Sequence, residues 1–381
     1  MLWTGPYEEG ISFSLLSKFL VCRHRFYLKT ITGVEEDEGF NHKIEYGSMF
    51  HCMIETLGDY KTKQEAFEAK DAAVDKYCQS LIQKYPESEA EIIKWKIICK
   101  GQYRIYYDYW TTHRQWKGIK RVFHELDFKI PYKLPSGRTI NMRGKIDGGV
   151  LPGASFMIEE TKTKGRIDDQ GIGRTLKQNL QTMFYRTAWE QIVTQDPSYV
   201  FELVDSGKVI APKDFKTRIA KNGKIKPCAG VAYNVIRRPL SDFRSIRQKK
   251  AETDAQFLKR LNEKIAEDPA YNFMRWRVRI KKDEVTTFQQ TCLDPILEQL
   301  CDWWEWVAAD PEDPFRIPTT VHDMKPSTIA IPGGGIHWQA PFGVYNGMYD
   351  GYRGDYYDFL TTGSTKNLVE ITNLFPELEN E

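Results

Sequence analysis

Between residues 122 and 163 the hydrophobic pattern of this chain shifts to a period of two. VFHELDFKIPYKL, the turn PSG, RTINMRGKIDGGV, the turn LPGA and SFMIEETKT follow one another without a break. Three strand-length runs joined by short Pro/Gly turns predict an antiparallel meander. A helical pattern from about Arg174 to Val193 comes next, and GVAYNVIRR at 230–238 returns to strand character. A meander that passes through a helix and comes back to a strand is incompatible with an all-helical bundle or a coiled coil. It predicts an α/β fold, a mixed central sheet flanked by helices. With 41% hydrophobic residues in 381, the chain has enough apolar material for such a core.

Helices are expected on either side of the meander. ISFSLLSKFLVCRHRFYL carries Leu15, Leu16, Phe19 and Leu20 on one stripe, with Ser12 or Ser14 as N-cap. A second helix is expected from near Gly47, where Phe50, Met53, Ile54 and Leu57 fall at i, i+3, i+4 and i+7. Residues 61–118 read as a helical insertion, after N-terminal helices in 1–60 and before a core at 119–240. The part at 241–381 reads as helical to about residue 309, where Trp303, Trp304 and Trp306 cluster. Beyond Pro311 it turns loop-rich, with PGGG at 332–335. No basic leader precedes an apolar run, and no 18-residue apolar stretch occurs, so a soluble, unexported chain is expected. Seven scattered cysteines suit a reducing compartment, the cytoplasm by default, better than a disulfide framework.

Asp147 ends MRGKID at a strand-to-turn junction, and Glu160, Thr161 and Lys162 follow on the next strand. Alternation puts Glu160 and Lys162 on one face, about 6–7 Å apart along the strand. The short connection brings Asp147 back beside them. Two carboxylates that hold a divalent ion, with an ammonium beside them, are what phosphodiester hydrolysis needs: an acidified water, a neutralised phosphate and a stabilised transition state. An acid and a base on one strand face, taken alone, more often form a solvated surface pair. His51 lies beside the apolar stripe of its helix, facing either a cleft or the core. Gln181 and Tyr185 are i, i+4 neighbours that could hydrogen-bond at a helix flank. Glu55 suits a supporting or surface role better than a ligand's, and Glu125 fits either a water-orienting or a structural one.

The order and spacing of these residues resemble the signature of RecB-like nucleases in the PD-(D/E)xK superfamily. G-K-I-D, thirteen residues and then E-x-K-T match its catalytic core. The resemblance implies that Asp147 and Glu160 bind metal and that Lys162 is catalytic. His51 in GSMFHCMIE matches the helical His that adds a metal ligand. Gln181 and Tyr185 match the Q-x-x-x-Y pair after the catalytic strand, and SFSLLSKFLVCRHRFYLK is similar to the family's first helix. A restriction-endonuclease-like core, Mg²⁺ or Mn²⁺ as cofactor, and DNA as substrate are therefore expected. The activity expected is that of an exonuclease in recombination, repair or phage DNA metabolism. Some relatives hold an iron–sulfur cluster on one early and three late cysteines. Cys22 matches the early position, but HWQAPFGVYNGMYDGYRGDYYDF has no cysteine, and Cys292 and Cys301 form no close ligand pair. No cluster is expected, and Cys22 is then expected to be a small buried hydrophobe.

The net charge of +2 does not announce a nucleic-acid partner, but its distribution is uneven. Residues 201–250 carry thirteen Lys and Arg against four Asp and Glu, and Arg237 and Arg238 within them are expected to grip the DNA backbone. Two rival readings stand: a non-catalytic DNA-binding module on the same fold, and a sequence-specific endonuclease. The intact Asp147, Glu160 and Lys162 weigh against the first. Nothing in the sequence points to a membrane or fixes the oligomeric state.

Overall fold

The computed structural model describes residues 2–21, 23–36, 39–56, 62–113, 120–152, 155–165, 167, 176–177, 179–195, 220–221, 224–225, 228–240, 248–308, 368–371 and 373–375. Cys22, most of the basic block at 201–250 and the loop-rich stretch from 309 to 367 lie outside the described residues.

The meander is present as β2 (Lys120–Lys133), β3 (Thr139–Leu151) and β4 (Phe156–Lys164). α6 (Leu180–Gln195) then leads to β5 (Cys228–Arg237). β4 runs antiparallel to β3 and parallel to β5, so the sheet is mixed. A fifth strand, β6 (Phe273–Arg279), adds antiparallel to β5 and completes the order β2-β3-β4-β5-β6. β6 falls in a region expected to be helical. FMRWRVR alternates Met274, Trp276 and Val278 with Arg275, Arg277 and Arg279, a period of two, and β5 supplies its pairing partner. The helical insertion is two helices, α4 (Lys63–Lys84) and α5 (Glu89–Thr112).

The chain divides into two compact units, and neither is one continuous stretch. The first takes in Met1–Glu38, Asp127–Lys145 and Lys282–Glu381; the second takes in Gly39–Leu126 and Ile146–Lys281. Within the first, α1 (Phe13–Val21) and α2 (Arg23–Tyr27) lie in the stretch expected to be helical. Ser12 caps α1, its hydroxyl accepting from the Leu15 amide. β1 (Val34–Glu36) pairs antiparallel with β7 (Leu368–Glu370). The core of this unit is aromatic: Trp3, Phe19, Phe26 and Trp303 meet edge to face. Arg138 pairs with Glu298, Asp302 and Glu305 of α8 (Asp294–Ala308).

The second unit is a layered α/β body with helices on both sheet faces. On one face α3 (His42–Glu55), α4, α5 and α7 (Asp254–Glu267) bury Tyr46, Phe50, Trp95, Tyr106, Phe257 and Leu261 with Ile236 and Phe273 of the sheet. α3 starts five residues before Gly47, because the Asn41 side chain caps it by accepting from the Lys43 amide. Gly47 lets α3 approach β4 closely; a Cβ there would stand 3.0 Å from Thr163 Oγ1. On the opposite face Trp189 of α6 stacks on Phe156 and Phe123 at centroid distances of 4.5 and 5.9 Å. Gly149 makes that stack possible, since a Cβ would fall 2.4 Å from the Phe123 ring. Among the described residues no helix is long and apolar enough to cross a membrane.

Candidate active site

The site is organised around the main chain of Thr161 on β4. β3 and β4 pair as far as Gly148↔Glu159, and one residue further along stand Asp147 and Glu160. Opposed residues of an antiparallel pair share a face, so both carboxylates project to the same side. Beyond that pair the main chain of Thr161 bonds to side chains. Its N–H donates to Asp147 Oδ2 at 2.8 Å, and its carbonyl oxygen lies 3.3 Å from His51 Nε2. The other imidazole nitrogen, Nδ1, is 2.8 Å from Glu55 Oε1 one helical turn away. Glu55 thus orients the ring rather than joining the carboxylate pair. The Lys162 ammonium stands 2.6 Å from Glu160 Oε1.

Concentrating these charges perturbs their ionisation. Burial, reinforced by the Asp147 charge and opposed by Lys162, pushes the Glu160 carboxyl up to about 7. Burial raises Asp147 too, against the pull of His51 and Lys162. For His51 burial opposes the charge, yet the Asp147 and Glu55 carboxylates carry the imidazole up to about 9. As an imidazolium it donates from both nitrogens, which accounts for a ring held between a carboxylate and a carbonyl. Burial also works against the Lys162 ammonium, and Glu160 and Asp147 hold it above its ordinary range.

Two observations test whether these residues suit a divalent ion. Glu160 Oε1 is buried and met by the Lys162 ammonium, and a carboxylate with two oxygens has further lone pairs that a cation could take. His51 is braced through Nδ1 by a carboxylate, the usual arrangement of a metal-ligating imidazole. Two carboxylates and one imidazole make a donor set that fits a divalent cation. Among the described residues no three such side chains already stand in coordinating positions. Asp147 is turned to the Thr161 amide, Glu160 to Lys162 and His51 to Glu55, so a cation would exchange these local bonds for its own.

The remaining expected residues are more scattered. α6 reaches the site through Thr182, whose hydroxyl bonds that of Tyr233, the residue paired with Glu160 in the β4–β5 register. Its neighbour Gln181 lies 3.5 Å from the Tyr185 hydroxyl, at the long end of hydrogen-bonding range. Glu125 sits on β2 with a left-handed backbone, φ 49°, and its charge acts on the Cys52 thiol of α3. Arg237 does not have the exposed fork expected of a phosphate grip. It is 6% exposed, donates through Nε to Tyr271 O and stacks 3.8 Å over the Tyr271 ring. The basic position that sequence shows is here a covered one. Arg238, one residue past the strand, is half-buried and donates to Lys43 O at 3.0 Å.

Sequence reasoning missed three contributors. Lys70, buried on α4, donates to the carbonyls of Met53 and Thr56 at the end of α3. Asn234 and Arg275 lie behind β4 on the face opposite Glu160. Their only sequence signal is polarity at strand positions facing a helical layer, visible once β6 is recognised as a strand.

A mixed five-stranded sheet covered by helices, with two carboxylates and a lysine at the point where two strands part, is an architecture of the restriction-endonuclease-like class. Residues 10–293 match the PD-(D/E)XK nuclease superfamily, and the chain belongs to that family. No curated protein matches the chain.

Proposed function

We propose that this nuclease is a divalent-metal-dependent deoxyribonuclease, acting as an exonuclease in recombination, repair or phage DNA metabolism within the cytoplasm. The observation that carries the metal reading is the convergence of Asp147, His51, Glu160 and Lys162 on the three residues 160–162 of β4. Asp147, Glu160 and His51 would hold Mg²⁺ or Mn²⁺, which when bound acidifies water and neutralises phosphate charge. Lys162, 36% exposed at its side chain, would leave Glu160 for the scissile phosphate and stabilise the charge that develops there. Gln181 and Tyr185, at the start of α6, are assigned to substrate positioning, and Arg238 to the DNA backbone.

The test is cleavage of end-labelled linear and closed circular DNA with and without Mg²⁺ or Mn²⁺. Progressive loss of label from linear ends, with circles spared, is the result expected. Asp147→Ala, Glu160→Ala and Lys162→Ala should each abolish cleavage and keep the native circular dichroism spectrum, since they remove transition-state stabilisation at one shared site. A near-normal rate in any one of them refutes the assignment. Discrete fragments from a circle would instead establish an endonuclease.

A further inference from the structure

Behind the site, a polar strut crosses the sheet. Thr161, Asn234 and Arg275 occupy adjacent positions in register on β4, β5 and β6, on the face opposite Glu160 and Lys162. Asn234 Nδ2 donates to Thr161 Oγ1 at 3.3 Å, and Asn234 Oδ1 accepts from Arg275 Nε at 3.2 Å. Arg275 continues to α5, donating to the Tyr106 hydroxyl at 2.7 Å with its guanidinium 4.5 Å over the Trp110 ring.

This face is otherwise an apolar core that includes Ile236, Phe273, Tyr106 and Trp110. An amide only 1% exposed and a guanidinium are costly there unless their bonds are made, and apolar side chains of similar volume commonly serve stability as well or better. The strut therefore calls for a reason other than stability. It ends on Thr161, the residue whose N–H holds Asp147 and whose carbonyl faces His51.

We infer that Asn234 and Arg275 are positioning residues for the metal centre. They fix the Thr161 side chain from behind, and through it the tilt of the two peptide units to which Asp147 bonds and which His51 faces. The inference rests on the metal-dependent reading above and adds to it two residues that touch neither metal nor substrate. Partners of this kind typically change metal affinity by about 10- to 100-fold when lost.

The test compares Thr161→Val, which keeps the shape and removes only the hydroxyl, with Thr161→Ser, which restores it, and adds Arg275→Met. Mn²⁺ binding is measured by calorimetry without DNA, and exchange of β4 amides is measured by hydrogen exchange in the metal-free protein. Thr161→Val and Arg275→Met should weaken Mn²⁺ binding at least tenfold and speed exchange at residues 160–162, with Thr161→Ser close to the unaltered chain. Mn²⁺ affinity within threefold of the unaltered value in Thr161→Val overturns the inference and leaves the metal reading intact. Failure of the unaltered chain to bind Mn²⁺ overturns the metal reading and the inference with it. If Arg275→Met does not fold, the Val/Ser pair decides the question.

Discussion

Lys70→Met is the most informative single perturbation of the helix that carries His51. The last carbonyls of any α-helix have no partner within the helix. At the end of α3 the Lys70 ammonium takes two of them, Met53 O at 2.7 Å and Thr56 O at 2.6 Å. It also lies 5.5 Å over the Tyr103 ring. A methionine fills the space of the lysine stem but leaves both carbonyls without their donor. Each such loss costs about 1–3 kcal/mol, and losing a cation at a helix C-terminus adds about 0.3–1 kcal/mol. Relief of the ammonium's desolvation offsets part of this, so the net loss expected is about 2–5 kcal/mol. Urea titration followed by circular dichroism should show a lower midpoint at unchanged slope. Lys63→Met is the control. Its partner Asp108 is exposed like Lys63 itself, and such pairs contribute about 0–1 kcal/mol. Lys70→Met within about 0.5 kcal/mol of the unaltered chain would show that water satisfies these carbonyls and would refute the capping argument.

Three further outcomes are expected. Glu55→Gln should weaken Mn²⁺ binding by about tenfold through the loss of the charge that braces His51, and His51→Ala more than that; calorimetry on both proteins checks the order, and an unchanged affinity in Glu55→Gln would make the contact incidental. Burial pushes the Glu298 carboxyl up, but the Ser136 amide and Arg138 together hold it below its ordinary range; its stabilisation is present above pH 4.5 and lost as pH falls through the depressed value. Glu298→Gln should therefore destabilise the chain at pH 7 and the difference should shrink on acidification, so a constant difference between pH 7 and pH 3 in thermal melts would contradict the sign. Arg238→Ala should lower the salt slope of DNA binding in Ca²⁺ by about 0.7–0.9, whereas the stacked Arg237, replaced by Met, should lower the melting temperature and leave that slope unchanged.

The residues that sequence placed well are those governed by alternation over short distances. Glu160 and Lys162 share a strand face by geometry, and the turn between β3 and β4 is too short to take Asp147 elsewhere. His51 is assigned from the resemblance of GSMFHCMIE to the family's helical His, while i, i+4 spacing accounts for its contact with Glu55. β6 was obscured because FMRWRVR is brief, lies between helices and has arginines on one face. What makes it a strand is β5, contributed from some forty residues earlier. Arg237 shows the same limit. Whether a guanidinium meets solvent or a tyrosine ring depends on the chain that packs over it, and Tyr271 is remote in sequence. Asn234 looks like any polar residue in a strand until the register sets it between Thr161 and Arg275.

The β1–β7 ladder joins residues 34–36 to residues 368–370, which fixes an order of events on the ribosome. The unit holding Asp147, Glu160, Lys162 and His51 is complete once Lys281 has emerged, while β1 must wait for a strand made much later. At about 5–20 residues per second that interval lasts several seconds. During it the cleavage centre can assemble on a nascent chain whose first strand still has an open edge. A chain clipped or stalled before Leu368 would leave β1 as an unpaired edge while every residue of the site had already been made.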